Sequence, residues 1–139
     1  MNQPYLFPLD RAESEYIERE IGKLSDRAHF QTSLERLLQR WQTFVEQVEV
    51  GYADSIYEYT NDLSVRDLLE GIGASAPASL RERLAAFLKE WDDRFSAATE
   101  ETDRAVAPGA PPSGAARWRR IPRRLLSELK EDLRNEGAI

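Results

Sequence analysis

The chain has 139 residues, a net charge of −6, 41% hydrophobic and 32% charged residues, and no cysteine. This length suits a single domain that buries a hydrophobic core, and the hydrophobic fraction excludes wholesale disorder. The missing cysteines exclude disulfides, thiolate metal sites and cysteine nucleophiles, and no apolar run approaches the ~20 residues that span a bilayer.

The first nine residues are predicted to form an extended arm. Pro4 and Pro8 remove backbone donors around an apolar cluster that we expect to pin the arm onto the body. The segment lacks the basic region and long apolar stretch of a secretory signal. The absence of such a signal favours a cytoplasmic protein. The excess of arginine over lysine, typical of GC-rich bacterial genomes, favours a bacterial one. Asp10 and Glu13 then have the spacing of a capping box at the start of a first helix.

A strongly periodic stretch predicts a long second helix, after a soft break at Ser25 and Asp26. Thr32 and Glu35 form a capping box before it, and apolar residues then recur at steps of three and four. The pattern continues past position 51, but a glycine there costs about 1 kcal/mol inside a helix, so we expect a kink or short break over 51–54. The apolar stripe comprises Leu34, Leu37, Leu38, Trp41, Phe44, Val45 and Val48.

A short helix and a further long helix are predicted next. Turn formers at 61–62 precede Ser64 and Asp67, which can cap a short helix that ends in the glycines of 71–73. Residues 80–98 then combine an apolar stripe with a charged face, in the same layout as the second helix. We expect these two long helices to pack side by side and to bury six large side chains: Trp41, Phe44, Phe87, Leu88, Trp91 and Phe95.

Proline and glycine separate this body from a final helix. Residues 105–116 contain three prolines, two glycines and no charge, which is typical of a semi-flexible linker. Beyond it, 117–139 is predicted to be a basic-start helix with Pro122 near its beginning, docked on the bundle. The predicted fold is all-α: a bundle over 1–104 of about three long helices, one kinked near Gly51, with a short helix and a linker-tethered C-terminal helix.

The sequence offers no recognisable active site. Its one histidine, His29, has no second histidine with which to share a metal or relay a proton, and no phosphate-binding glycine loop or serine elbow is present. Carboxylate pairs three residues apart could hold Mg²⁺ in an all-helical hydrolase, but an acidic helical chain also produces such pairs on solvated faces. We therefore predict no metal, no cofactor and no catalytic residue, and keep a Mg²⁺-dependent hydrolase as the third hypothesis. The pairs are Glu15 with Glu18, Glu46 with Glu49, Glu90 with Asp93, and Glu100 with Asp103.

An acidic zone with interleaved tyrosines is the first candidate binding surface. Between Trp41 and Leu80 there are seven acidic residues against one basic residue, Arg66. Tyrosine is favoured in protein interfaces, so the zone fits a basic protein partner. The alternative is a solvated acidic face whose tyrosines lie half in the core. The candidate residues are Glu46, Glu49, Tyr52, Asp54, Tyr57, Glu58, Tyr59 and Asp62.

An arginine cluster is the second candidate surface, and it marks a charge asymmetry along the chain. Residues 1–116 carry 12 basic and 21 acidic side chains, giving −9, whereas 117–139 carry 7 and 4, giving +3. Arginines beside an aromatic ring suit phosphate binding and base stacking, but a net-acidic domain repels a polyanion. We therefore expect the cluster to dock on the acidic body or on a protein partner rather than on nucleic acid. It comprises Arg117, Trp118, Arg119, Arg120, Arg123 and Arg124.

The leading functional hypothesis is a non-enzymatic binding protein of the immunity, antitoxin or regulatory type, whose acidic and aromatic face engages a basic partner. Small acidic helical inhibitors of nucleases work in this way, which is an analogy at the level of the fold. The first alternative is a nucleic-acid-associated protein that uses the arginine cluster. No membrane association is predicted.

Overall fold

The computed structural model describes residues 9–28, 32–102, 116–124 and 127–135, and most of these are helical. The helices are α1 (Arg11–Ala28), α2 (Leu34–Val50), α3 (Ile56–Ala74), α4 (Ala78–Ala98) and α5 (Ser127–Asn135). The prediction of an all-α bundle is confirmed. None of these helices is long and apolar enough to cross a membrane.

The hydrophobic core is centred on α2, which packs against both α3 and α4. All six side chains predicted to be buried are at most 6% exposed, so the side-by-side packing of α2 and α4 is confirmed. The ring of Trp41 lies 5.3 Å from the ring of Phe44 and 5.3 Å from that of Phe95. Aromatic contacts of this kind join the apolar stripes of the two helices.

The predicted capping box at the start of α1 is confirmed. The backbone N–H of Glu13 donates to Asp10 Oδ1 at 2.8 Å, and that of Asp10 donates to Glu13 Oε1 at 3.0 Å. The soft break expected at positions 25–26 is absent, because α1 continues to Ala28. Without a proline or glycine at those positions, a serine and an aspartate lower helix propensity too little to end a helix.

Both ends of α2 are set by local chemistry. The cap predicted at Thr32 is wrong by one residue: Ser33 is the N-cap, and its hydroxyl accepts from the N–H of Arg36 at 3.2 Å. The shift starts α2 at Leu34, the first residue of the buried stripe. At the other end Gly51 has a φ of 135°, which residues with a side chain rarely adopt. The predicted break at 51–54 is confirmed. In place of the single kinked helix that we expected, the structure has two separate helices, α2 and α3.

Helix α3 corrects the prediction of a turn and a short capped helix. It runs without interruption from Ile56 to Ala74, through the turn formers at 61–62. Ser64 caps nothing; its hydroxyl donates to the carbonyl of Thr60 at 3.0 Å within the same helix. The local turn propensities are overridden because α3 packs against α2, α4 and α5.

The arginine-rich segment is a short 3-10 helix and a strand, and the predicted basic-start helix is wrong there. Ala116–Arg119 form the 3-10 helix, followed by β2 (Arg120–Pro122), which pairs antiparallel with β1 (Thr99–Glu101). Proline lacks an N–H, and it is tolerated in such an edge strand. Helix α5 spans Ser127–Asn135 and packs on α3, with Leu129 and Leu133 fully buried.

Four sequence predictions fall wholly or partly outside the described residues. These are the arm over residues 1–8, His29, the carboxylate pair that includes Asp103, and the linker over 105–115. Only the last residue of the arm, Leu9, is described, and it is partly buried against the core.

Candidate partner-binding site

Two of the three tyrosines predicted to face a partner are core residues. Tyr52 is 2% exposed and Tyr59 is fully buried, and their rings lie edge-on to Phe44 at 5.6 and 5.4 Å. The hydroxyl of Tyr59 donates to the carbonyl of Arg120 at 2.7 Å, and that of Tyr52 donates to Asp62 at 3.3 Å. Burial raises the pKa of both phenols. The assignment of these two residues to an interface is therefore corrected: they hold α2, α3 and β2 together.

Glu49 is engaged by the neighbouring helix rather than presented to a partner. Arg94 of α4 donates to both of its carboxylate oxygens, at 2.8 and 2.6 Å. These hydrogen bonds lower the pKa of Glu49, and the same guanidinium lies 4.1 Å from the centre of the Trp91 ring. Glu49 thus belongs to a contact between α2 and α4.

The predicted acids of α3 line an open groove of about 560 Å³ between α2 and α3, which we call the α2–α3 groove. Arg36 and Arg40 stand on its α2 side, and Asp54, Glu58 and Asp62 stand opposite. The guanidinium of Arg40 reaches Asp62 at 3.3 Å across the groove. Burial nevertheless raises the pKa of Asp62, because the nearby arginine only partly offsets the loss of water.

An exposed corner remains where α2 ends and α3 begins. Val50 and Tyr57 are 76% and 77% exposed, and they are the large hydrophobic side chains left in solvent within the part of the chain that the structure describes. Glu46 lies one turn before Val50 on α2, and Asp54 and Glu58 flank Tyr57, all three exposed. We call these five residues the acidic corner. None of its three acids forms an ion pair with another described residue.

The first half of the arginine cluster docks on α3. Arg117 is 15% exposed and forms ion pairs of 2.6 Å with Asp67 and 2.7 Å with Glu70. The indole N–H of Trp118 donates to Asp67 at 2.9 Å, and the ring is 5% exposed. A buried indole offers no face on which a nucleic-acid base could stack, so this half of the cluster is part of the fold.

The second half meets the C-terminal end of α4, where backbone carbonyls lack helical partners. Arg120 donates to the carbonyls of Ser96 and Thr99 at 3.0 and 3.1 Å, and Arg123 donates to that of Ala97 at 3.2 Å. The side chains of Arg119, Arg123 and Arg124 are exposed to solvent. The cluster therefore lies against the body, with part of its charge on the outside.

Two polar clusters were not predicted as sites. Arg66 on α3 pairs with Asp92 on α4 at 2.7 Å, and the indole of Trp41 donates to the same carboxylate. Glu13 on α1, only 2% exposed, accepts from Arg83 at 2.6 Å and from the hydroxyl of Ser79. One signal could have revealed the first cluster: Arg66 is the lone basic residue in the acidic zone and lies on the buried side of its helix.

Neither the described residues, as a metal centre, nor a known relative points to a function for this chain. Among the described residues, no group of three or more histidine, aspartate and glutamate side chains is placed to hold a metal ion. Comparison with models of known protein families, with curated proteins and with solved structures finds no match for this chain.

Proposed function

We propose that this protein is a non-enzymatic binding module whose acidic corner engages a partner with a basic surface. The observation that carries the proposal is the exposure of Val50 and Tyr57 at 76% and 77%, close along the chain to three exposed acids that form no ion pair with a described residue. Tyrosine is enriched among the residues that anchor protein interfaces, and the exposed acids around Tyr57 would attract a basic surface. An immunity protein, an antitoxin or a regulator of a basic enzyme would use such a surface.

The charges of the rest of the molecule support this location. Asp67 and Glu70 are neutralised by Arg117, and Glu49 is neutralised by Arg94. Much of the remaining negative charge of the acidic zone is therefore concentrated at the corner and along the adjoining α2–α3 groove. A basic partner is attracted there by long-range electrostatics, which raise the association rate and weaken with salt.

Structural roles account for the corner only in part. Glu58 lies in the first turn of α3, where a negative charge interacts favourably with the helix dipole. No such role explains the exposed ring of Tyr57, which adds nothing to the core. A cytoplasmic compartment suits a module without cysteines, because disulfides are not available there to support a fold.

The test is a comparison of tagged wild-type protein with two variants in cells of the organism that encodes it. Tyr57→Ala with Glu58→Gln removes the anchor and one charge, whereas Glu82→Gln removes one exposed charge from α4, far along the chain from the corner. Any protein that co-purifies with wild type is identified by mass spectrometry, purified and titrated against all three proteins. We expect the double variant to bind at least tenfold more weakly and the control to bind normally.

Two results would contradict the proposal. One is a purified partner that binds the double variant as tightly as wild type. The other is a partner whose contact surface is acidic or whose affinity does not change with salt, because the corner could then supply no electrostatic attraction. Both variants change exposed side chains, so both should stay folded. The control should melt with wild type, and the double variant should melt slightly lower because Glu58→Gln removes a favourable interaction with the dipole of α3.

A further inference from the structure

A second groove, between α3 and α4, has a different chemistry from the acidic corner. It has a volume of about 450 Å³, and we call it the α3–α4 groove. Its floor is apolar, and small residues on both helices keep it open. The floor and walls are formed by Leu69, Gly73, Ala74, Leu84, Ala85 and Leu88.

The acids at the rim of this groove already have partners, each within 2.8 Å. Because their negative charges are balanced by side chains of the chain itself, the groove does not call for a cation. The pairs are Asp92 with Arg66, Glu70 with Arg117, and Asp93 with Lys89.

Two arginines of the groove, in contrast, have guanidinium N–H donors that are not fully hydrogen-bonded. Arg66 is 9% exposed, and its Nη1 is buried from solvent and finds no hydrogen-bond acceptor in the described part of the chain. Glu70 Oε1 lies 3.7 Å from that nitrogen, which is beyond hydrogen-bond distance. Arg81, exposed at the edge, makes one long hydrogen bond of 3.4 Å to the carbonyl of Ala76. A buried donor without an acceptor is destabilising until an acceptor is supplied.

We propose that the α3–α4 groove binds a small amphipathic carboxylate. Its apolar body lies on the leucine floor and its carboxylate faces Arg81. To accept from the buried Arg66 Nη1, the carboxylate displaces Glu70, whose side chain is 60% exposed and lies 3.7 Å from that nitrogen. A guanidinium matches the planar carboxylate in shape and charge, and the new hydrogen bond takes the place of the 3.7 Å contact with Glu70. Most small-molecule sites have this make-up of apolar walls with a few polar groups. The inference does not rest on the acidic corner, which contributes no residue to this groove.

The test uses octanoate as the probe, titrated into the full chain and followed by amide chemical shifts. Octanol carries the same apolar chain without the charge, and octylammonium carries the opposite charge. We expect saturable shifts at Gly73, Ala74 and Ala85 with octanoate, at least tenfold weaker binding of octanol, and no saturable binding of octylammonium at these residues.

Two neighbouring alanines provide a matched pair of variants. Ala85 and Ala86 are both exposed on α4, but only Ala85 lines the groove. Ala85→Trp should therefore fill the groove and abolish octanoate binding, whereas Ala86→Trp should leave it intact. For the charge, Arg81→Gln should weaken binding several-fold, and Arg19→Gln, an equal change on the exposed face of α1, should not.

The alternative outcomes each overturn the proposal. Octanol binding as tightly as octanoate would mean that the groove is merely apolar, and equal losses in the two tryptophan variants would place the probe elsewhere. Absence of saturation by octanoate up to its solubility in water would leave no site at all. If either tryptophan variant fails to fold, the comparison of Arg81→Gln with Arg19→Gln decides alone.

Discussion

Arg66 of α3 and Asp92 of α4 form a bidentate ion pair at the edge of the core. Arg66 Nε lies 2.9 Å from Asp92 Oδ1, and Nη2 lies 2.7 Å from Oδ2. The indole of Trp41 on α2 donates to the same Oδ1 at 3.1 Å, so one carboxylate joins three helices. The side chain of Arg66 is 10% exposed and that of Asp92 is 32% exposed, which shields the pair from most of the screening that weakens surface ion pairs.

Replacing Asp92 by Asn should destabilise the protein strongly. The change leaves the buried Arg66 guanidinium with only the more distant carboxylate of Glu70, 3.7 Å from its Nη1. We expect the free energy of unfolding to fall by about 2–3 kcal/mol, below the 3–5 kcal/mol of a fully buried pair. Asp93→Asn is the matched control, because that residue pairs with Lys89 in solvent and should matter little. Urea unfolding measures both. Equal losses in the two variants would contradict the structural role of the Arg66 pair.

Removing Trp91 tests the packing of α4 against α2. Its ring is 6% exposed, and Trp91→Ala should lower the free energy of unfolding by about 3–5 kcal/mol through lost burial and the cavity that remains. Val50→Ala removes a large apolar side chain that is 76% exposed, and it should change stability by less than about 0.5 kcal/mol. Thermal unfolding of the two variants is sufficient. A Trp91→Ala protein that melts within a degree or two of wild type would contradict the burial of Trp91 in the core between α4 and α2.

The periodic spacing of apolar residues was sufficient to predict the long helices α2 and α4. The apolar stripes of α2 and α4 predicted both helices and all six large core residues, since a helix that buries one face must repeat its pattern over several turns. Gly51 was readable as a break because glycine costs about 1 kcal/mol inside a helix. Its φ of 135° in the structure is one that most other residues avoid. These features follow from single elements, which is why the sequence alone was sufficient for them.

Contacts between distant segments were not predictable in the same way. The three-residue strands β1 and β2 are too short to show a period, and their pairing joins Thr99 to Pro122 across the linker. The burial of Tyr52 and Tyr59 depends on how α3 meets α2, because tyrosine suits a core and an interface equally well. Within the acidic corner, Val50 was not predicted as a site residue, since a valine that ends an apolar pattern gives no sign of being exposed.

The pH dependence of stability should reveal Glu13. Hydrogen bonds from Arg83 and Ser79 lower its pKa from the usual 4.5 to about 2. Because the pKa is lower in the folded state, Glu13 stabilises the fold fully above about pH 4.5, and the contribution disappears as the pH falls towards 2. Glu13→Gln lacks this contribution at every pH. The gap in unfolding free energy between wild type and the variant should therefore narrow between about pH 5 and pH 2.

Glu18→Gln is the control for this experiment, because Glu18 is exposed on the same helix. The difference in unfolding free energy between wild type and Glu18→Gln should be small throughout the pH range. A Glu13→Gln gap that stays constant, or widens in acid, would mean that Glu13 does not have a depressed pKa in the folded protein.

The arginine cluster allows a last comparison between two single variants of equal charge change. Arg117→Gln breaks two ion pairs at a position that is 15% exposed, and we expect a loss of about 1–2 kcal/mol, limited because Glu70 is 60% exposed. Arg124 is exposed, and Arg124→Gln should cost less than about 0.5 kcal/mol. The cost of Arg117→Gln should shrink as salt is added, since part of it is electrostatic.

The two single variants, together with one in which all five arginines are replaced by Gln, test the alternative that the cluster binds nucleic acid. If it does, wild type should shift labelled single-stranded RNA or DNA at low salt, and five phosphate contacts should give a log–log salt slope of about −3 to −4. Replacing all five arginines by Gln should then abolish binding. We expect no binding by any of these proteins, because Arg117 and Arg120 are held by the body and the chain is net acidic. Micromolar binding that persists at about 150 mM salt and disappears in the five-Gln variant would overturn this, because non-specific attraction is largely screened there.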